Sequence, residues 1–299
     1  MVPSLKEAEP LTTGYRRIAT ECVDTALAAL DASDGRDAAV HTIRKQCKQL
    51  RALIRLLHAG SAAERRQECL RFRDLGRSLS VLRDARVALD IHTALIERYG
   101  DCLDPAVNVL IRQRLIANLQ ASVAVSSEPL PPSDALRLEL LAAKQRARRL
   151  ETGGEAEASL RESFVRTYRR ARRAGIAAAE YGHVEDFHEA RKRSKDYWYQ
   201  LEFLSRRWPG ITAPRTSLTR RLTEVLGESQ DYAVYRSAIE GAATSDIAIA
   251  AELLSALAAG QEQTLREEAL TLFPQVFGEK PGRLAAEIGP PEPLHQAAG

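Results

Sequence analysis

Aromatic residues make up only 5% of this 299-residue chain. Long stretches also lack the alternation of β-branched and polar residues that marks strands, which argues against a sheet protein. No apolar run approaches the ~20 residues a membrane span requires, so no membrane partner is expected. The four cysteines, Cys22, Cys47, Cys69 and Cys102, all fall in the first half and form no C-x-x-C pair. That spacing excludes a disulfide scaffold and fits the reduced thiols of a cytoplasmic protein. The opening MVPSLKEAEP shows no basic-then-apolar order, so no secretory signal is read there. A glycine-rich phosphate loop, an H-E-x-x-H motif and a nucleophile elbow are all missing. Catalysis on phosphoanhydrides generally needs carboxylates to hold Mg²⁺, and the basic segments lack them. The expectation is therefore a non-enzymatic protein with no catalytic residues, metal or cofactor.

What remains is abundant in Ala, Leu, Arg, Glu and Gln, which are good helix formers. The fold class expected is all-α. Lysine and arginine number 43 against 40 acids, for a net charge of +3. The distribution carries more information than the total. Residues 41–55 hold Arg44, Lys45, Lys48, Arg51 and Arg55 with no acid, and residues 161–173 hold six arginines against Glu162 alone. Clustering of this kind focuses a positive field that the net charge conceals.

Apolar periodicity and breakers predict helices over about 11–30, 37–58 and 62–82, with Ser61 a candidate N-cap. Further helices are expected over about 84–98, 105–123, 133–150, 156–180, 184–207, 217–238 and 247–272. Trp208 to Pro214 reads as a loop. The proline-rich stretch 126–133 reads as the linker between a first bundle, 1–125, and a second, 134–278. Residues 279–299, rich in Pro and Gly, read as a mobile tail.

One pattern occurs twice. His41-x-x-Arg44-Lys45-x-x-Lys48 returns as His188-x-x-Arg191-Lys192-x-x-Lys195, 147 residues later. The same offset carries Asp84 onto Asp231, Val87 onto Val234 and Arg73 onto Arg220. On a helix, His41, Arg44, Lys48, Arg51 and Arg55 fall within an arc of roughly 80°, with Lys45 just outside it. The opposite face carries Ile43, Cys47, Leu50, Leu53, Ile54 and Leu57. Like charges at this spacing cost a few tenths of a kcal/mol per pair, so acids from a neighbouring helix or an anionic ligand must offset them. The stripe is about 21 Å long, enough for a linear run of phosphates.

The second copy is less pure, with Trp198 at the position of Arg51 and Glu202 at that of Arg55. Upstream of it, Arg166, Arg169, Arg170 and Arg173 share a helix face. A salt-bridged or solvated face remains the plain alternative for a basic helix. His41 and His188 read as anion donors or as packing and capping groups. Metal ligation is disfavoured, because neither has a Cys, His or acid at i+3 or i+4. Asp84 and Asp231 read as braces for the cations, and Tyr168, Tyr197 and Tyr199 as packing residues.

The paired motifs, each followed by an Asp-containing segment (Val81-Leu-Arg-Asp-Ala-Arg86 and Leu226-Gly-Glu-Ser-Gln-Asp231), resemble the CHAD family, the conserved histidine α-helical domain. The likeness runs from about residue 10 to 275. It implies two pseudo-symmetric helical bundles whose motif helices face a central basic groove or pore that binds inorganic polyphosphate. It also implies association with polyphosphate granules. Carried over by position, the binding set is His41, Arg44, Lys45, Lys48 and Arg51, with His188, Arg191, Lys192 and Lys195. Arg55, Arg73, Arg77, Arg83, Arg166, Arg169, Arg170, Arg173 and Arg220 are added as further candidates. The chain has Gln230 where the first copy has Arg83. Nucleic-acid binding is the alternative, opposed by the sparse aromatics and the modest net charge. A metal-dependent phosphohydrolase is a third reading. The chain is expected to act as a stand-alone monomer or homodimer.

Overall fold

A computed structural model describes residues 2–32, 36–57, 61–102, 104–125, 133–150 and 156–289. Among them are eleven α-helices and one 3-10 turn, and no strand. The first six helices are α1 (Leu11–Asp31), α2 (Arg36–Leu57), α3 (Ala62–Ser78), α4 (Ser80–Tyr99), α5 (Pro105–Val125) and α6 (Ser133–Arg149). The rest are α7 (Ala156–Tyr181), α8 (Val184–Leu204), α9 (Pro209–Ala242), α10 (Ala248–Phe277) and α11 (Pro281–Ile288).

The apolar face predicted for α2 is the one that the fold buries. Ile43, Cys47, Leu50, Leu53, Ile54 and Leu57 are all in the core. Their counterparts on α8, Tyr197, Leu201 and Leu204, are fully buried. Each such aliphatic side chain contributes about 1.5–3 kcal/mol by leaving water. Apolar burial thus fixes the rotation of both motif helices and turns their basic faces the other way. Tyr168, Tyr197 and Tyr199 are core residues as expected. α3 begins with a capping box, in which Glu64 N–H donates to Ser61 Oγ at 3.2 Å and Ser61 N–H donates to Glu64 Oε2 at 2.7 Å.

α2 packs on α1 and α3, α8 packs on α7 and α9, and α2 meets α8. At that meeting Gln200 Nε2 donates to the carbonyl of Ala52 at 3.1 Å. One core cluster runs through α1, α2, α7 and α8 and their neighbours. A second, smaller one joins α4, α5, α9 and α10 through Leu95, Ile111, Leu115, Tyr235, Ile239 and Leu254.

Displaced by 147 residues, α2 covers 183–204, and α8 covers Val184–Leu204. Likewise α3 and α4 together map onto 209–246, close to the single helix α9. The start of α6 maps to 280, where α11 begins at Pro281.

Three expectations change. The boundary at 126–133 assigned α6 to the second bundle, but α6 packs on α1 and buries Leu136, Leu140 and Ala143 in the shared core. Arg146 reaches Glu68 on α3 at 3.0 Å, and Arg16 on α1 donates to the carbonyl of Leu150 at 2.8 Å. The expected linker itself lies outside the described residues except for Ser133, which opens α6. Residues 279–289 are not a mobile tail. α11 packs on α7, its Leu284 is fully buried, and Arg215 pairs with Glu279 at 2.9 Å and with Glu287. Pro281 marks the start of that helix, where a missing N–H costs nothing. Residues 290–299 lie outside the described residues. Finally, the loop expected at 208–214 is the beginning of α9, with Pro209 in its first turn and Pro214 inside it. Pro214 frees the carbonyl of Gly210, which is exposed and can take water as its partner.

Candidate anion-binding site

The polar faces of α2 and α8 meet the motif-following segments on α4 and α9, and together they gather the largest group of predicted cations. Arg44 and Lys48 on α2 interact with Arg191 on α8, and Lys48 also with Lys195. Arg83 on α4 faces His41 and Arg44. Lys45 lies near both His41 and Lys195, and Arg220 near Lys195. Arg44 is anchored by a hydrogen bond from its guanidinium to the carbonyl of Gly76 at the end of α3. The Lys195 ammonium lies 4.0 Å from the ring centre of Trp198 and 5.4 Å from that of Tyr199.

Three carboxylates stand within this group: Glu224, beside Lys195 and Arg220, and the motif aspartates Asp84 and Asp231. Arg44 is the cation that acts most strongly on Asp84, and Arg191 the one that acts most strongly on Asp231, so these two relationships repeat the 147-residue offset. Both acids also face Lys48 and Arg83, and Asp231 faces Asp84. Burial raises both carboxyls above the ordinary value despite these cations.

The cations are poorly neutralised. Burial, followed by Arg191, Arg44 and Lys195, pulls the Lys48 ammonium down to about 7. Burial and then Arg191 lower Lys195 to about 8. His41 is also lowered, first by burial and then by Arg83, Lys48, Lys45 and Arg44. His188 differs in its neighbour. Its Nδ1 lies 2.9 Å from Oε1 of Gln230, which occupies the position of Arg83 in the other half. The pairs His41–Arg83 and His188–Gln230 are therefore equivalent in register but unlike in charge.

Other predicted cations sit elsewhere. Arg55 pairs with Asp196 on α8 at 2.9 Å, and Arg51 and Arg170 lie around the same carboxylate. Arg166 bonds Glu162 at 3.1 Å and Ser163 at 2.7 Å. Lys192 pairs with Glu189 at 2.5 Å and Arg73 with Asp74 at 2.8 Å. Arg220, beside Lys195, pairs with Glu224 at 2.8 Å. Arg77, Arg169 and Arg173 are exposed. The single 21 Å stripe anticipated from the sequence is thus divided between two surroundings, His41 to Lys48 at one and Arg51 to Arg55 at the other. Asp196, Arg193 and Glu224 were not anticipated, since each acts on residues of another helix or turn.

Among the described residues no three His, Cys, Asp or Glu side chains gather as metal ligands would. No helix among them is long and apolar enough to cross a membrane.

Comparison with known proteins bears on this arrangement. No curated protein matches the chain. A solved structure, the crystal structure of the CHAD domain from the plant Ricinus communis, superposes with a TM-score of 0.65 at 18% identity, covering 94% of this chain and 96% of that one. The likeness establishes a shared fold. The family profile of the CHAD domain matches residues 17–240, a span that contains both histidine motifs and both aspartates. With the paired motif helices, their matched acid–cation pairs and that span in agreement, the chain belongs to the CHAD domain family.

Proposed function

We propose that this chain is a non-enzymatic binder of inorganic polyphosphate, held in a basic groove between α2 and α8. The observation that carries the reading is Lys48. It is packed among Arg44, Arg191 and Lys195 with burial enough to bring its ammonium to about 7. A protein keeps such mutually repelling cations together at a cost, and a polyanion offsets it. Two halves built as copies of one unit supply the groove with cations from both sides, and polyphosphate presents the same oxyanions in both directions. Arg44, Arg83 and Arg191 give directed hydrogen bonds to phosphate oxygens, while Lys48 and Lys195 act as point charges. His41 and His188 add donors at either end. The aspartates orient the arginines while the groove holds no polymer. A cytoplasmic protein that docks on polyphosphate granules fits these properties.

The test is calorimetric titration with long-chain polyphosphate across salt concentrations, with DNA and orthophosphate alongside. Affinity should fall steeply with salt. An Arg44→Ala/Arg191→Ala variant should bind at least 10-fold more weakly. Equal binding by parent and variant overturns the reading. DNA that competes at equal phosphate concentration points instead to a nucleic-acid binder, and phosphate release on adding Mg²⁺ points to a hydrolase.

A further inference from the structure

On the flank where α2, α7 and α8 meet, four arginines surround a single carboxylate, and a fifth, Arg166, stands beside one of them. Arg55 reaches Asp196 at 2.9 Å and Arg193 reaches it at 4.0 Å. Arg51 lies beside Arg55 and Asp196, and Arg170 beside Arg193, Arg166 and Arg55. Among the described residues, the other acids joined to these arginines are Glu189, bonded to Arg193, and Glu162, bonded to Arg166. The Nε of Arg51 is buried with no hydrogen-bond partner. Arg170 is exposed, and the charges that act most strongly on it are other arginines.

The cluster exists on one side of the molecule only. At the 147-residue offset, Arg51 and Arg55 correspond to Trp198 and Glu202. Arg166, Arg170, Arg193 and Asp196 correspond to Ala19, Val23, Gln46 and Gln49. All four of those are uncharged and buried, so with Trp198 and Glu202 no cation replaces any of the arginines there. The paired histidine motif therefore does not account for the cluster. An ion pair that fixes the meeting of α2 and α8 explains Arg55, but it leaves Arg51 and Arg170 without a purpose.

We propose that these arginines form a second oxyanion site, separate from the groove, which takes phosphate groups of an oligophosphate in place of the Asp196 carboxylate. Asp196 stands in for the ligand when the site is free, as an internal anion. A phosphate group has more acceptor oxygens than a carboxylate, so it engages Arg51 and Arg170 as well as Arg55 and Arg193. The choice of phosphate as ligand class rests on the polyphosphate reading above; the existence of the site does not.

Titration with tripolyphosphate tests the proposal, because a short chain reports each site separately. The parent should show two sites per chain. Arg170→Glu, which removes an exposed side chain without a bonded partner, should leave one. Asp196→Asn should tighten the second site about 5-fold or more, as an internal competitor is neutralised. Arg44→Ala/Arg191→Ala should remove the groove site and spare the second. Long-chain polyphosphate distinguishes the source of the phosphate: if one polymer spans both sites, its advantage over tripolyphosphate disappears in Arg170→Glu. If it does not, the second site takes separate short chains. One site in the parent, unchanged by Arg170→Glu and Asp196→Asn, overturns the proposal. Unaltered binding in the Arg44/Arg191 variant alone overturns the groove reading and leaves the second site standing.

Discussion

The Lys195 ammonium rests 4.0 Å from the centre of the Trp198 ring, at the position where the other half carries Arg51. The ring holds the cation in place by its quadrupole, a contact worth about 0.5–2 kcal/mol. A phosphate chain in the groove competes for the same ammonium. Binding should therefore change the emission of Trp198 as Lys195 moves toward phosphate oxygens. Trp208, the other tryptophan, packs edge-on against Phe164 in the core and should contribute a constant background. Trp198→Phe should abolish the change while retaining most of the affinity.

The depressed lysines make binding depend on pH in a definite direction. Below about pH 7 both Lys48 and Lys195 are charged in the free protein, and binding takes up no proton at either. Above it, a polyanion must recruit protons to these groups. Affinity should fall as pH rises through 7 and 8, with proton uptake visible as buffer-dependent heat. Lys48→Met should bind more weakly and lose part of that dependence.

The same groups govern stability in the absence of ligand. Their folded values lie below the ordinary lysine value of 10.5. As pH rises from about 7 to 8, the folded state releases protons that the unfolded chain keeps, so stability increases over that window. Cysteines and tyrosines ionise above it. Thermal midpoints measured at closely spaced pH values should rise in the parent and rise less in Lys48→Met.

Asp196 should matter to the free protein as well as to ligand. With Asp196→Asn, Arg55 keeps a hydrogen-bonding oxygen but loses its charge partner. Both side chains are mostly shielded, at 20% and 16% exposure. The expected loss is about 1–3 kcal/mol in urea unfolding. Added polyphosphate should restore more stability to this variant than to the parent.

Two glycines in helices provide a packing control. A methyl group at Gly175 would lie 2.8 Å from Cδ1 of Phe273, where α7 packs on α10. Gly175→Ala should destabilise by about 1–3 kcal/mol. At Gly260, inside α10, nothing lies within 4 Å of the added methyl. Gly260→Ala should stabilise by about 0.5–1 kcal/mol. Both are read from denaturant midpoints.

How far the sequence revealed this fold differs from element to element. The two motif helices were legible because apolar spacing and a pure basic stripe on α2 marked opposite faces of one cylinder. The pairs Arg44–Asp84 and Arg191–Asp231 were traceable through the shared offset. Proline misled at three places for one reason. Pro209 and Pro281 sit in a first turn, where the ring is compatible with helix, and Pro214 lies inside α9 at the cost of one backbone hydrogen bond, yet proline-rich spelling reads as loop. The division of the basic stripe was not legible. Asp196 meets Arg55 from 141 positions away, and only tertiary packing decides which cations a carboxylate reaches.

In each half the last described helix returns to the first, α6 to α1 and α11 to α7. The backbone between Leu150 and Ala156 is therefore the covalent joint between two bodies that are otherwise held by packing, of α2 on α7 and α8 and of α4 and α5 on α9 and α10. A chain cut there keeps every buried contact described for either part. Produced as two separate polypeptides, the parts should find one another and rebuild the cation group between α2 and α8, which would make the pair a split reporter for the polyanion proposed to bind there.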